Sequence, residues 1–255
     1  MHKNLGKRLS PEKFLKDVIT TISEFANEFL IVFSLLIVSS LLFYILVHFV
    51  IPEKENVIDY STFLFFRPLI SPKLIKIAQF VTFFGTGTFL IPSYIIIVVC
   101  LVRINYIKYA LMTSTIAISS LLLGWLLKGI FHRSRPPHHL ISGAGGYSFP
   151  SGHALGGFIF TGVVLYLIWQ TRKSYYVKWI FSILIFAWGA IIGLSRIYLH
   201  VHYATDVLGS LFIALSWFSL LYIFFRFLYR HEMNERIENN EKEPDFFSSN
   251  YHLNN

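Results

Sequence analysis

The sequence is short of charge and of cysteine. Only 14% of its 255 residues are Asp, Glu, Lys or Arg, whereas 55% are hydrophobic and 18% are aromatic. With a mean hydropathy of +0.58, this composition excludes an ordinary soluble domain and indicates a membrane protein. The single cysteine, Cys100, excludes an intramolecular disulfide and a cysteine metal cluster.

Six stretches lack Lys, Arg, Asp and Glu altogether, and each is 17 to 26 residues long. A helix needs roughly 20 apolar residues to cross the hydrocarbon core, so these lengths predict six transmembrane helices in an all-α, polytopic bundle. The first run follows about 28 polar and charged residues, so we expect it to stay in the mature protein and not to be removed as a signal peptide. The predicted spans are 29–52, 77–102, 109–127, 154–171, 179–195 and 207–225.

Lys and Arg are distributed unequally between the two sides of these spans. Fourteen of the 22 lie on the side that holds both termini, and eight lie on the other side. Because cytoplasmic loops are enriched in Lys and Arg, the sequence predicts a multi-pass plasma membrane protein with both termini in the cytoplasm. The segments 128–153 and 196–206 then face away from the cytoplasm.

The chain outside the spans is less informative. Ser10 and Pro11 predict a helix start, and the apolar pattern after them fits either an interfacial helix over 11–28 or a continuation of the first span. The short apolar run 60–66 cannot cross a membrane, and it could lie flat on the outer surface. The last residues are polar and acidic, with too little apolar content to become ordered alone. The predicted organisation is a cytoplasmic N-terminal segment, a six-span domain and a polar cytoplasmic tail over 1–28, 29–228 and 229–255.

Three cations stand at or beside the ends of the apolar runs, namely Lys128, Arg135 and Arg196. A phosphoryl group in transfer carries negative charge on its equatorial oxygens, which fixed cations stabilise. Arginine can bind phosphate through two N–H donors, and lysine acts as a point charge. Any one of them alone could be a snorkelling residue at the membrane boundary, and we keep that interpretation for Arg133. Together the three cations indicate a phosphate-ester site.

Pro150, Ser151, Gly152 and His153 come where the fourth predicted span begins. A helix N-terminus offers unpaired N–H groups and the positive end of a dipole, and glycine lets the backbone approach an anion closely. Ser151 could alternatively serve as an ordinary N-cap. The imidazole of His153 is suited to protonate a leaving oxygen. This segment therefore predicts a phosphate cradle with a general acid beside it.

His202 and Asp206 are separated by four positions, so on a helix that opens span six they would share a face. A hydrogen bond from one ring nitrogen to Asp206 would set the tautomer and leave the other nitrogen free to attack phosphorus. A structural His–Asp pair at a helix start is the alternative. We interpret His202 as the nucleophile.

The three motifs, in this order and with this spacing, resemble the full signature of the type-2 phosphatidic acid phosphatase family, within the phosphatidic acid phosphatase and vanadium haloperoxidase superfamily. The resemblance covers roughly residues 75–228. The six-span layout is similar to that of bacterial lipid phosphatases that act on phosphatidylglycerophosphate or undecaprenyl diphosphate. The matching positions are Lys128, Arg135, Pro136, Pro150, Ser151, Gly152, His153, Ser195, Arg196, His202 and Asp206.

The resemblance implies a hydrolase that needs neither metal nor cofactor. His202 would form a phosphohistidine, Asp206 would orient it, and His153 would protonate the leaving group and later activate water. In agreement, essentially one carboxylate, Asp206, lies near the motifs in the sequence, whereas a two-metal phosphatase needs several oxygen ligands. The residues implied to bind phosphate are Lys128, Arg135, Ser151, Gly152 and Arg196.

The position of the motifs at one membrane face favours a phosphate carried on a lipid. Undecaprenyl diphosphate, phosphatidylglycerophosphate and phosphatidic acid all fit, and the lipid and the bilayer are the expected partners. No obligate protein partner is evident, and the surplus cations follow membrane orientation and do not indicate nucleic-acid binding. Two alternatives stay open. One is a phosphotransferase that passes the phosphoryl group to another acceptor, and the other is a non-enzymatic anion transporter, although transporters tend to place their charges near the midplane.

Overall fold

The computed structural model describes residues 11–51 and 57–242. Every regular element in these two ranges is helical, which confirms the all-α prediction. A π-helical turn over Leu46–Val50 follows the first helix, and a 3-10 turn over Arg67–Leu69 follows the second. The α-helices are α1 (Pro11–Ile45), α2 (Val57–Phe66), α3 (Pro72–Phe83), α4 (Gly87–Arg103), α5 (Ile107–Phe131), α6 (Gly152–Trp169), α7 (Tyr175–Tyr198) and α8 (Ala204–Lys242).

Within residues 11–51 and 57–242, six helical segments are long and apolar enough to cross a membrane, which confirms the predicted number of spans. They are between 18 and 32 residues long, within or beyond the length that a bilayer core requires. The segments are Ala26–Phe49, Pro72–Arg103, Ile107–Phe131, Gly152–Trp169, Tyr175–Tyr198 and Ala204–Tyr229.

The second span is interrupted, where the sequence predicted a continuous run over 77–102. Three residues separate α3 from α4, and the N–H of Gly85 donates to the carbonyl of Thr82 at 3.0 Å. A Cβ at Gly85 would lie 2.7 Å from Cγ2 of Ile192 and 3.0 Å from the backbone oxygen of His153. Only a glycine allows so close an approach, so the interruption packs the α3–α4 turn directly against the start of α6.

The two ends of the described chain are continuous with the outer spans. α1 begins at Pro11 and runs unbroken to Ile45, which favours continuation of the first span over a separate interfacial helix; Ser10 lies outside the described residues. α8 extends to Lys242, so the first residues of the predicted polar tail continue the helix. Adding residues to an existing helix avoids the cost of nucleation, which explains how a polar segment stays helical there.

The core lies between α5, α6 and α8. Buried side chains from these helices form one cluster, including Ile116, Ile159 and Ile213. The outward surfaces of the spans keep large apolar side chains exposed, for example Trp125 at 78% and Ile31 at 69%. This arrangement suits a lipid solvent, in which apolar side chains gain nothing by being buried against protein.

Small residues bring α6, α7 and α8 close together. A Cβ at Gly189 of α7 would lie 2.5 Å from Oγ1 of Thr161 in α6, and one at Gly193 would lie 2.8 Å from Cγ1 of Val207 in α8. Close helix contact through small residues is the usual way in which membrane helices pack. It places the start of α6, the end of α7 and the start of α8 beside one another, and these carry the second and third motifs.

The short apolar run predicted at 60–66 forms most of α2. This ten-residue helix lies at the end of the bundle where α5 and α7 end and α6 and α8 begin, and it packs against α7 and α8. The hydroxyl of Tyr198 at the end of α7 donates to the carbonyl of Leu69 at 3.0 Å. The segment that follows α2 is thus tied to the end of the bundle that carries the motifs.

Candidate active site

The residues of the first motif lie at the end of α5 and in the loop that follows. Lys128 occupies the last turn of α5, and its Nζ donates to the carbonyl of Tyr147 at 2.7 Å. The helix ends at His132, which adopts a left-handed conformation with φ of 46° and donates its N–H to the carbonyl of Lys128. The chain then leaves the helix in a loop without regular secondary structure, which carries Arg133 and Arg135.

Arg135 joins this loop to the third motif. Its Nε and Nη2 donate to the carbonyl of Gly145 at 3.1 and 2.9 Å, and Nε is also 3.1 Å from the carbonyl of Gly146. Its Nη1 donates to the carbonyl of Val201 at 2.7 Å and lies 3.2 Å from Nε2 of His202. The predicted phosphate ligand and the predicted nucleophile are therefore in direct contact.

The contacts of His202 indicate which of its two ring nitrogens carries the proton. The ring is 1% exposed, with Nδ1 lying 3.5 Å from Oδ2 of Asp206 and 3.4 Å from Oγ of Ser148. Because the guanidinium of Arg135 has only donors, Nε2 must be the unprotonated acceptor and Nδ1 must carry the proton. Burial lowers the pKa of His202 below its usual value, while the hydrogen bond and charge of Asp206 act in the opposite direction. The ring is thus neutral at physiological pH, with its lone pair on Nε2 facing Arg135.

The His202–Asp206 pair does not form in the way that the sequence predicted. α8 begins at Ala204, so His202 lies in the turn before the helix and only Asp206 is in the first helical turn. Asp206 accepts the N–H of Tyr203 at 2.9 Å, as the side chain at the third helical position does in a capping box. That bond turns the carboxylate back towards the preceding turn, and so brings it to the imidazole without a shared helix face.

Arg133 is not the snorkelling boundary residue that we predicted. Its side chain is only 13% exposed, and it forms ion pairs with Asp206 at 2.6 Å and with Asp59 at 2.8 Å. Its guanidinium also lies 4.2 Å from the centroid of the Tyr203 ring. The sequence held one signal for this role, because Arg133 is two positions from Arg135 inside the first motif.

Asp59 is a site residue that the sequence analysis missed, and it corrects the expectation of a single carboxylate near the motifs. It lies on α2, is 4% exposed, and accepts the N–H of Thr205 at 2.9 Å. The hydroxyl of Thr205 also lies 2.9 and 2.8 Å from its two oxygens. A lone acid in the apolar stretch 57–66 was the available signal, because a buried carboxylate requires a partner.

Ser148 is a second missed residue, fully buried between the loop and the third motif. Its hydroxyl forms a short hydrogen bond to Oδ2 of Asp206. Both carboxylates of the site are thus already engaged, Asp206 by Ser148 and Arg133, and Asp59 by Thr205 and Arg133. This set of contacts suits a hydrogen-bonded relay better than a metal site, in which the carboxylate oxygens would have to turn to the ion.

The second motif forms the open part of the site. Ser151 occupies the N-cap position of α6, but its side chain caps nothing, and its buried hydroxyl has no hydrogen-bond partner among the described residues. The alternative of an ordinary Ser151 side-chain cap is therefore wrong. A Cβ at Gly152 would meet no atom within 4 Å, so the space beside this first residue of α6 is open. An anion can approach this helix start closely.

Arg196 lies opposite, in the last turn of α7, and is 6% exposed. Its Nη1 donates to Oγ1 of Thr82 at 2.8 Å, whereas its Nε is buried without a partner in the described chain. Buried donors without partners are costly. The free Nε of Arg196 and the free hydroxyl of Ser151 are consistent with a site that is completed by an anionic ligand.

His153 follows in the first turn of α6 and is half-buried. The positive charges of Arg196, Arg135 and Lys128 act on its ring. His153 therefore lies within electrostatic reach of cations from the first and third motifs. An imidazole beside such cations can transfer a proton near a bound anion.

Comparison with known protein families gives a match over the part of the chain that carries the three motifs. The model of the PAP2 superfamily matches residues 108–230, a range that contains every motif residue from Lys128 to Asp206. Asp59, on α2, lies outside the matched range.

Two characterised proteins of Bacillus subtilis (strain 168) are similar in sequence. Undecaprenyl-diphosphatase BcrC is 32% identical over 125 residues, which are 47% of this chain and 58% of that protein. Phosphatidylglycerophosphatase B is 27% identical over 158 residues, or 59% of this chain and 74% of that protein. The match to the first relative thus spans less than two thirds of its length.

Two crystal structures share the fold. That of a transmembrane PAP2-type phosphatidylglycerolphosphate phosphatase from Bacillus subtilis superposes with a TM-score of 0.66 at 24% identity, covering 74% of this chain and 94% of that one. That of LpxE from Aquifex aeolicus gives a TM-score of 0.50 at 21% identity, covering 66% and 96%. At these identities the likeness establishes the architecture, a six-span helical bundle.

Proposed function

Because the chain belongs to the PAP2 superfamily, we propose that it is an integral membrane lipid phosphatase acting through a phosphohistidine intermediate. One observation carries the proposal: the buried ring of His202 has Asp206 at Nδ1 and Arg135 at Nε2. This setting presents a neutral imidazole with its lone pair directed at a phosphate-binding cation. The activity is assigned to the predicted six-span domain, 29–228.

The first step forms the bond between Nε2 of His202 and phosphorus. The bond from phosphorus to the leaving oxygen breaks as the Nε2–P bond forms, and His153 gives a proton to that oxygen. The ring of His202 becomes cationic, with its Nδ1 proton held by Asp206. The carboxylate thus stabilises charge that develops during the step.

The second step returns the enzyme to its starting state. Water attacks phosphorus, His153 accepts a proton from the water, and the Nε2–P bond breaks with its electron pair returning to His202. Inorganic phosphate then leaves. One imidazole therefore serves as acid in the first step and as base in the second, which requires His153 to face the same phosphorus atom as His202.

Phosphate binding is assigned to the residues whose donors surround the open start of α6. Lys128 supplies a point charge, and Arg135 and Arg196 supply guanidinium N–H groups. The hydroxyl of Ser151 and the N–H groups that begin at Gly152 bind the remaining oxygens. Arg135 must exchange its contact with Nε2 and part of its hydrogen bonding to carbonyls for the phosphate, which frees the Nε2 lone pair and leaves the guanidinium beside the point where phosphorus would arrive.

Membrane orientation follows from the distribution of cations. With 14 of the 22 Lys and Arg residues on the side of the termini, both termini are assigned to the cytoplasm and the site to the opposite face of the plasma membrane. A substrate anchored in the outer leaflet presents its headgroup at that depth. The expected partners are therefore this lipid and the bilayer.

The proposed substrates are lipid phosphates with a monoester or a diphosphate headgroup. The names of the two Bacillus relatives point to undecaprenyl diphosphate and to phosphatidylglycerophosphate, and phosphatidic acid has the same reacting group. All three present a terminal phosphate that the three cations can bind. The site chemistry is common to them, so the choice between them depends on the rest of the headgroup and on the chain.

The test measures phosphate release by the purified, detergent-solubilised protein, with a chelator present, from these three lipids and from a soluble phosphate ester. His202→Ala removes the nucleophile, and His139→Ala replaces an exposed loop histidine as the matched control. We expect release that is lost in His202→Ala and retained in His139→Ala. Turnover that survives in His202→Ala contradicts the mechanism. If the phosphoryl group is transferred to an acceptor lipid and no free phosphate is released, the protein is a phosphotransferase.

A further inference from the structure

A second buried carboxylate lies behind the proposed nucleophile. Asp59 pairs with Arg133 at 2.8 Å, and Arg133 pairs with Asp206 at 2.6 Å. We infer that Asp59 and Arg133 are positioning residues, which act through Asp206 on the orientation and basicity of His202. This inference rests on the proposed role of His202, and it assigns a function to a residue outside the range matched by the family model.

Arg133 determines which carboxylate oxygen faces the imidazole. Its Nη1 binds Oδ1 of Asp206, whereas Oδ2 accepts from Ser148 and from the N–H of Tyr203 and lies 3.5 Å from Nδ1 of His202. The carboxylate cannot rotate without breaking the charge-assisted bond to the guanidinium, which is among its strongest contacts. Oδ2 is therefore kept directed at the ring.

Asp59 holds the other half of the guanidinium and the start of α8. One of its oxygens accepts from Nη2 of Arg133, and the other accepts the N–H of Thr205. The Thr205 hydroxyl donates to Asp59 and accepts from Nη1 of Arg133 at 2.7 Å. Thr205 immediately precedes Asp206, so α2, the Arg133 loop and the first turn of α8 form one connected unit.

The charge of this unit suits the first chemical step. Two carboxylates and one guanidinium leave one net negative charge behind His202, in a buried setting where charges are weakly screened. Attack on phosphorus makes the ring cationic, and the negative unit stabilises that charge. Replacing Asp59 with Asn makes the unit neutral, and it leaves Arg133 to draw Asp206 away from the imidazole. The ring then becomes less basic and less firmly oriented.

The first test compares Asp59→Asn with the parent protein, purified in detergent, for kcat, KM and the pH dependence of kcat/KM. We expect kcat to fall on the order of tenfold, as for other partners that orient a catalytic group, with KM within about twofold. The acid limb of kcat/KM should move to lower pH, because the imidazole is less basic. A loss of folded protein with an unmoved acid limb indicates a purely structural contact, and it overturns the inference.

Arg133→Lys provides a second variant, which keeps the charge but cannot bind both carboxylates in fork geometry. We expect a lower kcat with the acid limb close to that of the parent. If Arg133→Lys keeps the turnover of the parent, the positioning role is overturned. This second test holds even if Asp59→Asn fails to fold. The matched control is Glu28→Gln. Glu28 lies on α1 and pairs at 2.8 Å with Arg226 on α8, and both residues are far along their helices from the site. Its kcat and acid limb should equal those of the parent, and a change as large as that of Asp59→Asn overturns the inference.

His202→Ala separates this inference from the proposed function. If His202→Ala retains turnover, His202 is not the nucleophile, and both the proposed mechanism and the positioning inference are refuted. If His202→Ala is inactive while Asp59→Asn and Arg133→Lys keep the parental kcat and pH profile, only the positioning role is refuted.

Discussion

Gly85→Ala is expected to impair catalysis through the backbone of the proposed general acid. The added Cβ would lie 2.7 Å from Cγ2 of Ile192, 3.0 Å from the carbonyl oxygen of His153 and 3.1 Å from its Cβ. Ordinary contacts between carbon atoms begin at about 3.5 Å. The methyl group therefore lacks roughly 0.4–0.8 Å of space against atoms of α6 and α7, and two of its three neighbours belong to His153 itself.

The magnitude follows from that shortfall. Overpacking of this kind costs typically about 1–3 kcal/mol of stability, and Ile192 is β-branched, so its Cγ2 cannot turn away easily. The first turn of α6 is expected to move instead, and a misplacement of about 1 Å at a reacting group can cost about 100-fold in rate. A shift of about half that size predicts a kcat of Gly85→Ala that is on the order of tenfold lower.

The assay measures phosphate release and thermal unfolding of the same detergent-purified samples. Gly87→Ala is the matched control, because the same substitution two residues further on meets only Cδ1 of Ile91, at an ordinary 3.6 Å. A Gly85→Ala protein with reduced thermal stability and a kcat within about twofold of the parent would refute the reasoning, since α6 would then have absorbed the methyl group without moving His153. An equal loss in Gly87→Ala would refute it as well.

Two further predictions concern the imidazole of His202. Asp206→Asn removes the acceptor for the Nδ1 proton and is expected to lower kcat by about 10²–10⁴-fold with little change in KM, measured by phosphate release; near-parental turnover would contradict the orienting role. Because burial lowers the pKa of His202, its ring stays neutral as the pH falls to about 6.5, and only more acidic solution protonates the nucleophile. The acid limb of kcat/KM should therefore be centred below about pH 6.5, and an acid limb centred above that value would show that the ring is not held neutral.

The membrane architecture was predictable because it depends on composition over about 20 residues at a time. A charged side chain in the hydrocarbon core is expensive, so runs free of charge mark the spans, and the structure confirms six of them. The interruption of the second span was not predictable in the same way. Its cause is the contact of Gly85 with Ile192 and His153, which lie far along the chain.

The site was predictable where its residues are held by local features. Lys128 at the end of α5, Ser151 at the start of α6 and Arg196 at the end of α7 all lie where a helix terminus places them. The His202–Asp206 pair was predicted for the wrong local reason, since a turn and not a shared helix face brings the two together. Their closeness was nevertheless implied by a separation of only four residues.

The amino-acid sequence was sufficient to predict the number of spans, the end of the bundle that carries the motifs, and the chemical groups available there. The partners of these groups depend on how the helices pack. Arg133 binds Asp59 across 74 positions and Thr205 binds Asp59 across 146, and hydropathy and periodicity carry no information about such distant pairs. The physical reason is that a buried charge is stable only beside its counter-charge, and which counter-charge is within reach depends on how the helices pack.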